Sequence, residues 1–533
     1  MLKKGTRCLF YIRTCKYATK PQLKDGPGLQ HFVSNSRAPK IVPSISETSS
    51  YLSPKDFAGE GRTVAFLTYG CQMNVNDTEV VRSILFQNGY VESLDEKAAD
   101  IVLLMTCSIR ESAEDKIWRK LQWLKANNKN CTIGVLGCMA ERIRADIITR
   151  SKAVDVVAGP DSYRDLPRLL ATTRMGTNAM NVQLSMEETY ADIQPVRTDS
   201  SSKSAFVSIM RGCDNMCTYC VVPFTRGRER SRPLESIVDE VKQLSDNGYK
   251  QIILLGQNVN SYRDTSQAVS LGINEPSTVE GFKTVYKPKT GGRTFATLLE
   301  KISDIDPEMR IRFTSPHPKD FPLPVIQLIK ERKNICNQLH LPAQSGDDAV
   351  LEAMGRGYSR ELYLNLVEQI RQIIPNVALT SDFIAGFCGE TEEAHQSTVD
   401  LIKHVGYSFC YVFPYSMREK TRAHRRLNDD VPVEDKKRRT LELAAAMRES
   451  ALTHNLTLVG NTELVLIEGP SKRSPSELVG KADCGVKVIV DSTNIKNTSE
   501  QLAAGDYVAV KITSATSQTV RGHPLYRTTL QNF

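Results

Sequence analysis

From Arg62 onward, short apolar runs alternate with polar stretches of helix length. Val64-Ala65-Phe66-Leu67-Thr68-Tyr69-Gly70 leads to Cys71, Ile101-Val102-Leu103-Leu104-Met105-Thr106 leads to Cys107, and Ile133-Gly134-Val135-Leu136-Gly137 leads to Cys138. Unbroken apolar runs of this length read as parallel strands buried on both faces. The intervening Ser108–Lys125 has a helix-like pattern. The cysteines lie 36 and 31 residues apart, close to the roughly 30 residues of a βαβ unit. The pattern therefore predicts an open parallel-sheet domain over residues 62–177. The carboxyl ends of such strands share one edge, where these folds bind ligands, so three cysteines distant in sequence are expected to converge. Gly70 and Gly137 fit tight turns out of their strands.

Residues 178–203 are polar without a period and read as a linker. A second rhythm follows, with strands predicted at Ala205–Met210, Gln251–Leu255, Arg310–Thr314, Gln338–Pro342, Val377–Ile384 and Phe409–Phe413. Helical patterns separate most of them, among them Leu234–Asn247, Phe295–Ile305 and Ser359–Ile374. Six β/α units are too few for a closed eight-fold barrel, so residues 204–450 are expected to form a partial (β/α)6 barrel, open on one side. Residues 263–293, rich in Ser, Thr, Gly and Pro, break the pattern as a surface insertion. A charged helix-like segment from Pro432 to about Asn455 carries Lys436-Lys437-Arg438-Arg439. Residues 456–533 read as a small β-barrel with strands at Thr462–Ile467, Val486–Val490, Tyr507–Ala515, Val520 and Leu525–Leu530. The fold class is α/β.

The 533 residues suffice for several domains, and no run approaches the roughly 20 apolar residues of a membrane span, so no membrane partner is expected. The net charge of +8 is unevenly placed. Lys3, Lys4, Arg7, Arg13, Lys16, Lys20 and Lys24 are unopposed by any acid in the first 24 residues, and removing these seven leaves the rest near +1. With Leu2, Leu9, Phe10, Tyr11 and Ile12 interspersed, residues 1–50 read as a mitochondrial transit peptide followed by a disordered Ser/Pro-rich arm. A disordered basic arm alone is the other reading. Thirteen cysteines suit a reducing matrix better than an oxidising compartment.

The densest chemistry is Arg211-Gly212-Cys213-Asp214-Asn215-Met216-Cys217-Thr218-Tyr219-Cys220, directly after the first barrel strand. Thiolates this close do not readily pair with one another, but all can turn toward one soft metal centre. An iron–sulfur cube has four irons, so a three-cysteine set leaves one iron open for chemistry. A zinc knuckle, which would want a fourth Cys or His nearby, and three core cysteines are the alternatives. Cys71, Cys107 and Cys138, at equivalent strand ends, point to a second such cluster, while Cys131, off that pattern, is assigned to packing.

The Cys213-x-x-x-Cys217-x-x-Cys220 triad resembles the signature of radical S-adenosylmethionine enzymes, in which the open iron chelates the cofactor's methionine end and electron transfer yields a 5′-deoxyadenosyl radical. With both cysteine sets in view, the chain from about Arg62 resembles the methylthiotransferases, whose order is an amino-terminal methylthiotransferase domain, a radical domain and a TRAM domain. The stretches that carry this are Thr68-Tyr69-Gly70-Cys71-Gln72-Met73-Asn74, Thr106-Cys107-Ser108-Ile109-Arg110-Glu111 and Leu136-Gly137-Cys138-Met139-Ala140-Glu141-Arg142. Leu255-Gly256-Gln257-Asn258, Arg312-Phe313-Thr314-Ser315-Pro316-His317-Pro318 and His340-Leu341-Pro342-Ala343-Gln344-Ser345-Gly346 add to them. Gln72-Met73-Asn74 and Ser108-Ile109-Arg110-Glu111 are similar to the branch acting on tRNA that carries N6-isopentenyladenosine. The leader adds a resemblance to its eukaryotic mitochondrial members, also described as cyclin-dependent-kinase regulatory-subunit-associated. Cys388, where bacterial relatives usually have Pro, and Lys420, where they usually have Gly, depart from the pattern.

The resemblance implies that Cys213, Cys217 and Cys220 hold the 4Fe–4S cluster that cleaves S-adenosylmethionine, with Tyr219 packing on its adenine. Cys71, Cys107 and Cys138 would hold a second 4Fe–4S cluster whose sulfur is methylated by one S-adenosylmethionine. A second molecule would yield the radical that takes hydrogen from carbon two of the modified adenosine at position thirty-seven, beside the anticodon. An unactivated aromatic C–H explains the need for a radical, since no side-chain base removes that hydrogen. The implied partners are the tRNA anticodon arm, an electron donor such as a ferredoxin and, by resemblance only, a kinase-regulatory subunit. Lys472, Arg473, Arg521 and the 436–439 run are candidate phosphate contacts, with a merely solvated face as the alternative for each. Methylthiolation of a ribosomal protein and a kinase-regulatory binding role are the rival functions.

Overall fold

The computed structural model describes residues 52–108, 111–128, 130–199, 201–266, 291–491, 495 and 501–533. The leader and arm expected over 1–50, Ile109 and Arg110 of the second cysteine motif, and most of the 263–293 insertion lie outside the described residues.

Strands β1 (Thr63–Thr68), β2 (Val91–Glu92), β3 (Ile101–Thr106), β4 (Thr132–Gly137), β5 (Val156–Ala158) and β6 (Ala179–Asn181) form one sheet in the order β2-β1-β3-β4-β5-β6. Every pair is parallel. β3 is buried at all of its positions, as an unbroken apolar run requires when both faces are covered. Helix α1 (Gln72–Gln87) packs Val80 and Ile84 onto one face, and α2 (Glu111–Asn127) packs Ile117, Leu121 and Leu124 onto the other. The short helix α3 (Cys138–Ile143) follows β4 directly. β5 and β6 are three residues each, too short to show a period. β6 falls within the stretch read as a polar linker, and Tyr190 and Ile193 of that stretch are buried in the same core.

β7 (Ser204–Ser208), β8 (Gln251–Leu255) and β9 (Arg310–Phe313) form one parallel sheet, and β10 (Gln338–His340), β11 (Ala378–Ala385) and β12 (Phe409–Pro414) a second. A parallel bridge between Ile311 and Ile335 links them. Six parallel strands in chain order with β7 and β12 at the edges make the expected partial barrel. Helices α4 (Leu234–Asp246), α5 (Phe295–Ser303), α6 (Leu323–Glu331), α7 (Arg360–Ile373) and α8 (Glu392–Val405) bury Val241, Leu299, Ile326, Ile370 and Ile402 in its outer core. Ser359 and Thr391 cap the last two by accepting from the amides of Leu362 and Ala394. The long helix α9 (Val433–Thr457) lays Leu443, Ala446 and Met447 against the same core.

β13 (Thr462–Pro470), β14 (Leu478–Lys481), β15 (Lys487–Val490), β16 (Tyr507–Ala515) and β17 (Thr519–Thr528) close into a barrel in the order β13-β14-β15-β17-β16. Val520 and Leu525–Leu530, read as separate pieces, belong largely to the single strand β17, and β14 was not predicted. This barrel is fastened to the amino ends of β8 and β9. Arg310, only 1% exposed, donates to the carbonyls of Lys481 (2.8 Å) and Leu464 (2.7 Å). Arg312 donates to those of Ala482 (2.8 Å) and Asp483 (3.0 Å). The Tyr507 hydroxyl lies 3.0 Å and 2.8 Å from the carbonyls of Lys250 and Glu308.

Candidate active site with two cysteine sets on one cavity

β1, β3 and β4 are neighbours, so their carboxyl ends bring Cys71, Cys107 and Cys138 to one edge. The chain leaves β1 at Gly70 with φ at 114°. A Cβ there would lie 2.6 Å from Cys107 Cβ, so only glycine lets the two cysteine loops touch. At Gly137, φ is 91° and a Cβ would meet the Thr106 carbonyl at 2.7 Å. Cys71 stands at the N-cap of α1, and Cys138 opens α3. Cys213, Cys217 and Cys220 follow β7 at the barrel's carboxyl end, the end that carries chemistry in such barrels. All six cysteines line one cavity of about 340 Å³, and none is in a disulfide.

The loop bearing the second set is held from several sides. Asp214 accepts a two-pronged bond from Arg228 (2.6 and 3.0 Å). The Thr218 amide and hydroxyl donate to the carbonyls of Met354 and Ala353 (2.8 and 2.7 Å). Arg356, buried, donates to Cys217 Sγ (3.5 Å), the Tyr219 hydroxyl (3.3 Å) and the Pro342 carbonyl (2.6 Å). Tyr219 lines the cavity and packs edge-on against Phe387. Met216 in this loop, and Ser315 and Gln344 on the cavity wall, hold positive φ without being glycine, and such strain gathers at functional sites.

Between the cysteine sets lies a buried charge cluster. Asp77 of α1 accepts from Arg211 (2.7 Å) and from Arg226 (2.7 Å), and Arg226 also reaches Asn74 Oδ1 (3.2 Å). Arg226 Nη1 has no hydrogen-bond partner and lies in the cavity wall. A hydrogen bond from Cys107, the Arg226 charge and the Asn74 amide together pull the Cys71 thiol down to about 6 against the cost of desolvation. Burial pushes Cys138 and Cys213 up, and Cys220 up to about 12. Coordination to a metal reverses that penalty by deprotonating the thiol outright. Six thiols outside any disulfide and a guanidinium with Nη1 unpartnered fit thiolate-bound clusters on both sides of the cavity. His317, buried with Nε2 unpartnered, is held neutral, its pKa well below the usual histidine range through burial.

Sequence reasoning did not single out Asp77, Arg226, Arg356 or Asp382 and quoted Arg211 and His340 within motifs without a role; Arg226, His340, Arg356 and Asp382 line the cavity. The findable signal was position, since His340 ends β10 and Asp382 lies in β11 on the catalytic end of the barrel. Of the candidate phosphate contacts, Lys472 and Arg473 are exposed. Arg521 pairs with Glu477. In the 436–439 run Lys436 pairs with Asp429, Lys437 with Glu434, Arg438 with Glu392 and Glu442, and Arg439 with Glu390 and Glu392. That run is spent on internal ion pairs. Cys131 packs in the sheet core.

Site and fold together define a radical S-adenosylmethionine enzyme with a second three-cysteine set on the same cavity. Residues 63–159 match the model of "Uncharacterized protein family UPF0004", residues 207–402 that of the radical SAM superfamily, and residues 456–525 that of the TRAM domain. A CDK5RAP1-like protein of Caenorhabditis elegans is 60% identical over 93% of this chain and 92% of its own length. The mitochondrial tRNA methylthiotransferase CDK5RAP1 of Homo sapiens is 54% identical over 96% and 90%. A tRNA-2-methylthio-N(6)-dimethylallyladenosine synthase of Chloroherpeton thalassium is 47% identical over 86% and 95%. The chain belongs to the radical S-adenosylmethionine tRNA methylthiotransferases, in the group that includes CDK5RAP1. It is an enzyme that uses S-adenosylmethionine and a 4Fe–4S cluster on a tRNA substrate.

Proposed function

We propose that this chain methylthiolates carbon two of N6-isopentenyladenosine at position thirty-seven of mitochondrial tRNAs, in the matrix, consuming two S-adenosylmethionine per product. Cys213, Cys217 and Cys220 hold one 4Fe–4S cluster, and Cys71, Cys107 and Cys138 hold a second. The observation that carries the reading is the convergence of both sets on one cavity. The isopentenyl (dimethylallyl) substrate and the mitochondrial site are supported by the names of the bacterial and mammalian relatives. When bound, the clusters and S-adenosylmethionine supply the radical and the sulfur. The chain's own residues position both: Arg356 fixes Cys217, Tyr219 forms the wall beside it, and Arg226 holds positive charge beside Cys71 and Cys138. A low-potential carrier such as a ferredoxin supplies the electrons.

The test is iron and acid-labile sulfide per chain on anaerobically prepared protein, with the tRNA product read by nucleoside mass spectrometry. About eight irons are expected for the wild type, and about four for the Cys71/Cys107/Cys138 triple alanine variant. That variant is expected to make no 2-methylthio product. About four irons in both would remove the second cluster and the sulfur-insertion reaction with it. Methylthiolated ribosomal protein in place of tRNA would redirect the substrate assignment.

A further inference from the structure

The open side of the barrel is covered unequally. On the β7 edge the amino-terminal domain fills the interior: Met73 of α1 packs on Phe206, Ile253 and Leu255. Asn76 and Arg197 donate to the Phe206 carbonyl at 3.3 and 2.8 Å. On the β12 edge the strand register turns aromatic side chains into the same interior. Thr380 pairs with Phe409, Asp382 with Tyr411 and Ile384 with Phe413. In a parallel sheet paired residues share a face, and this face is the one on which Asp382 and His340 line the cysteine cavity. The alternate residues Cys410 and Val412 pack toward the helix-covered core, which Phe409 at the strand's start also touches, whereas Tyr411 and Phe413 do not.

Tyr411 is nevertheless 53% exposed. Its ring lies parallel to that of Phe413, 6° between planes and 6.2 Å between centroids, and Phe409 braces it edge-on at 4.9 Å. Phe413 is half-buried, so it is Tyr411 that leaves braced aromatic area in water beside the cavity, and soluble proteins keep such area for binding surfaces.

We propose that Tyr411 and Phe413 form a stacking platform for an unpaired nucleobase of the RNA substrate, adjacent to the base that enters the cavity. The inference rests on the tRNA reading above and names the surface it lacked. Modifying a ring carbon requires the target base to leave its stack. Its neighbours then lose a stacking partner, and aromatic side chains supply the replacement in single-strand channels. The platform abuts the cavity at Asp382, which lines the cavity and is the register partner of Tyr411. It carries no charge of its own, which suits a base rather than a phosphate.

The test uses the cluster-loaded full chain and a synthetic anticodon stem-loop carrying 2-aminopurine at either position flanking the target adenosine. Dissociation constant and fluorescence quenching are read for wild type, Tyr411→Leu, Phe413→Leu, the double variant and Tyr411→Trp, each at wild-type iron content. Leucine keeps apolar bulk without a ring. Each leucine variant is expected to raise Kd about tenfold and to abolish quenching at one flanking position. Tyr411→Trp is expected to bind at least as tightly and to quench more. Wild-type binding and quenching in the double leucine variant overturns the platform and leaves the tRNA reading standing, and so does weaker quenching in Tyr411→Trp. Failure of the iron-loaded wild type to bind the stem-loop overturns both.

Discussion

Arg226 brings its charge from the segment after Cys220 to the amino-terminal cysteine set, beside Cys71 and Cys138. Its guanidinium is anchored on Asp77 and Asn74 from α1, yet it belongs to the segment that follows the radical-type cysteines. Exchanging it for glutamine removes a positive charge from beside Cys71. The Cys71 pKa is then expected to rise by about one unit from about 6, so that alkylation of this thiol in reduced, metal-free protein slows about fivefold at pH 6. Peptide mass spectrometry after timed iodoacetamide treatment reads this directly, and an unchanged rate would mean that Cys107 and the Asn74 amide suffice. Glu141 makes a second prediction. Burial raises this carboxyl from 4.5 to about 7 although Arg144 pairs with it. Folding therefore takes up a proton across that interval, and stability falls as pH rises from about 4.5 to 7. Glu141→Gln should flatten that slope, its thermal midpoint gaining on the wild type as pH goes from 5 to 7.5. The cysteines were legible because their spacing is their chemistry. Arg226 was not, because one arginine within Thr225-Arg226-Gly227-Arg228-Glu229-Arg230 looks like its neighbours until the fold selects it.

Between elements, the contact after β12 ties the barrel to α3, the helix that Cys138 opens. Lys420 donates from Nζ to the Arg142 carbonyl at 2.6 Å, and Arg142 in turn pairs with Glu114 of α2 at 2.6 Å. Lys420 holds φ at 71°, a conformation that favours glycine, at a cost of about 1 kcal/mol. The lysine thus exchanges backbone ease for a bond between domains. Lys420→Met keeps the strain and loses the bond, and should lower the thermal midpoint by about 2–4 °C. Lys420→Gly loses the bond but relaxes the backbone, and should stay closer to wild type. Equal losses would show that strain plays no part. Strands buried on both faces were legible from their apolar runs, β3 most plainly. β5, β6 and β14 were not, because three or four residues cannot display a period and their stability comes from neighbouring strands. Ser359, where a helical pattern was read to begin, and Thr391, for which no helix start was read, both prove to be the caps that fix where α7 and α8 begin.

At the scale of the molecule, the amino-terminal sheet and the cysteine loop face the carboxyl ends of the barrel strands, while the TRAM barrel sits at their amino ends. Order along the chain predicted the three parts but not this arrangement, because the fastening residues Arg310 and Arg312 read in sequence as part of a strand. Replacing both by methionine is expected to free the small barrel, seen as new chymotryptic cleavage after Leu456 or Leu458 with the cysteine-set iron content retained. Resistance equal to wild type would assign the docking to the remaining bonds, among them those of Tyr507 to Lys250 and Glu308, of the Leu530 and Gln531 amides to the Glu308 carboxylate and of the Asn337 amide to Asp483. Arg310 and Arg312 grip the carbonyl oxygens of Leu464, Lys481, Ala482 and Asp483, and every residue type presents the same carbonyl. Substitutions over the outside of the TRAM barrel therefore leave its seat untouched. A barrel of the same backbone carrying a foreign surface should dock on the same two arginines, so recognition of a new RNA can be grafted on without redesigning the catalytic body.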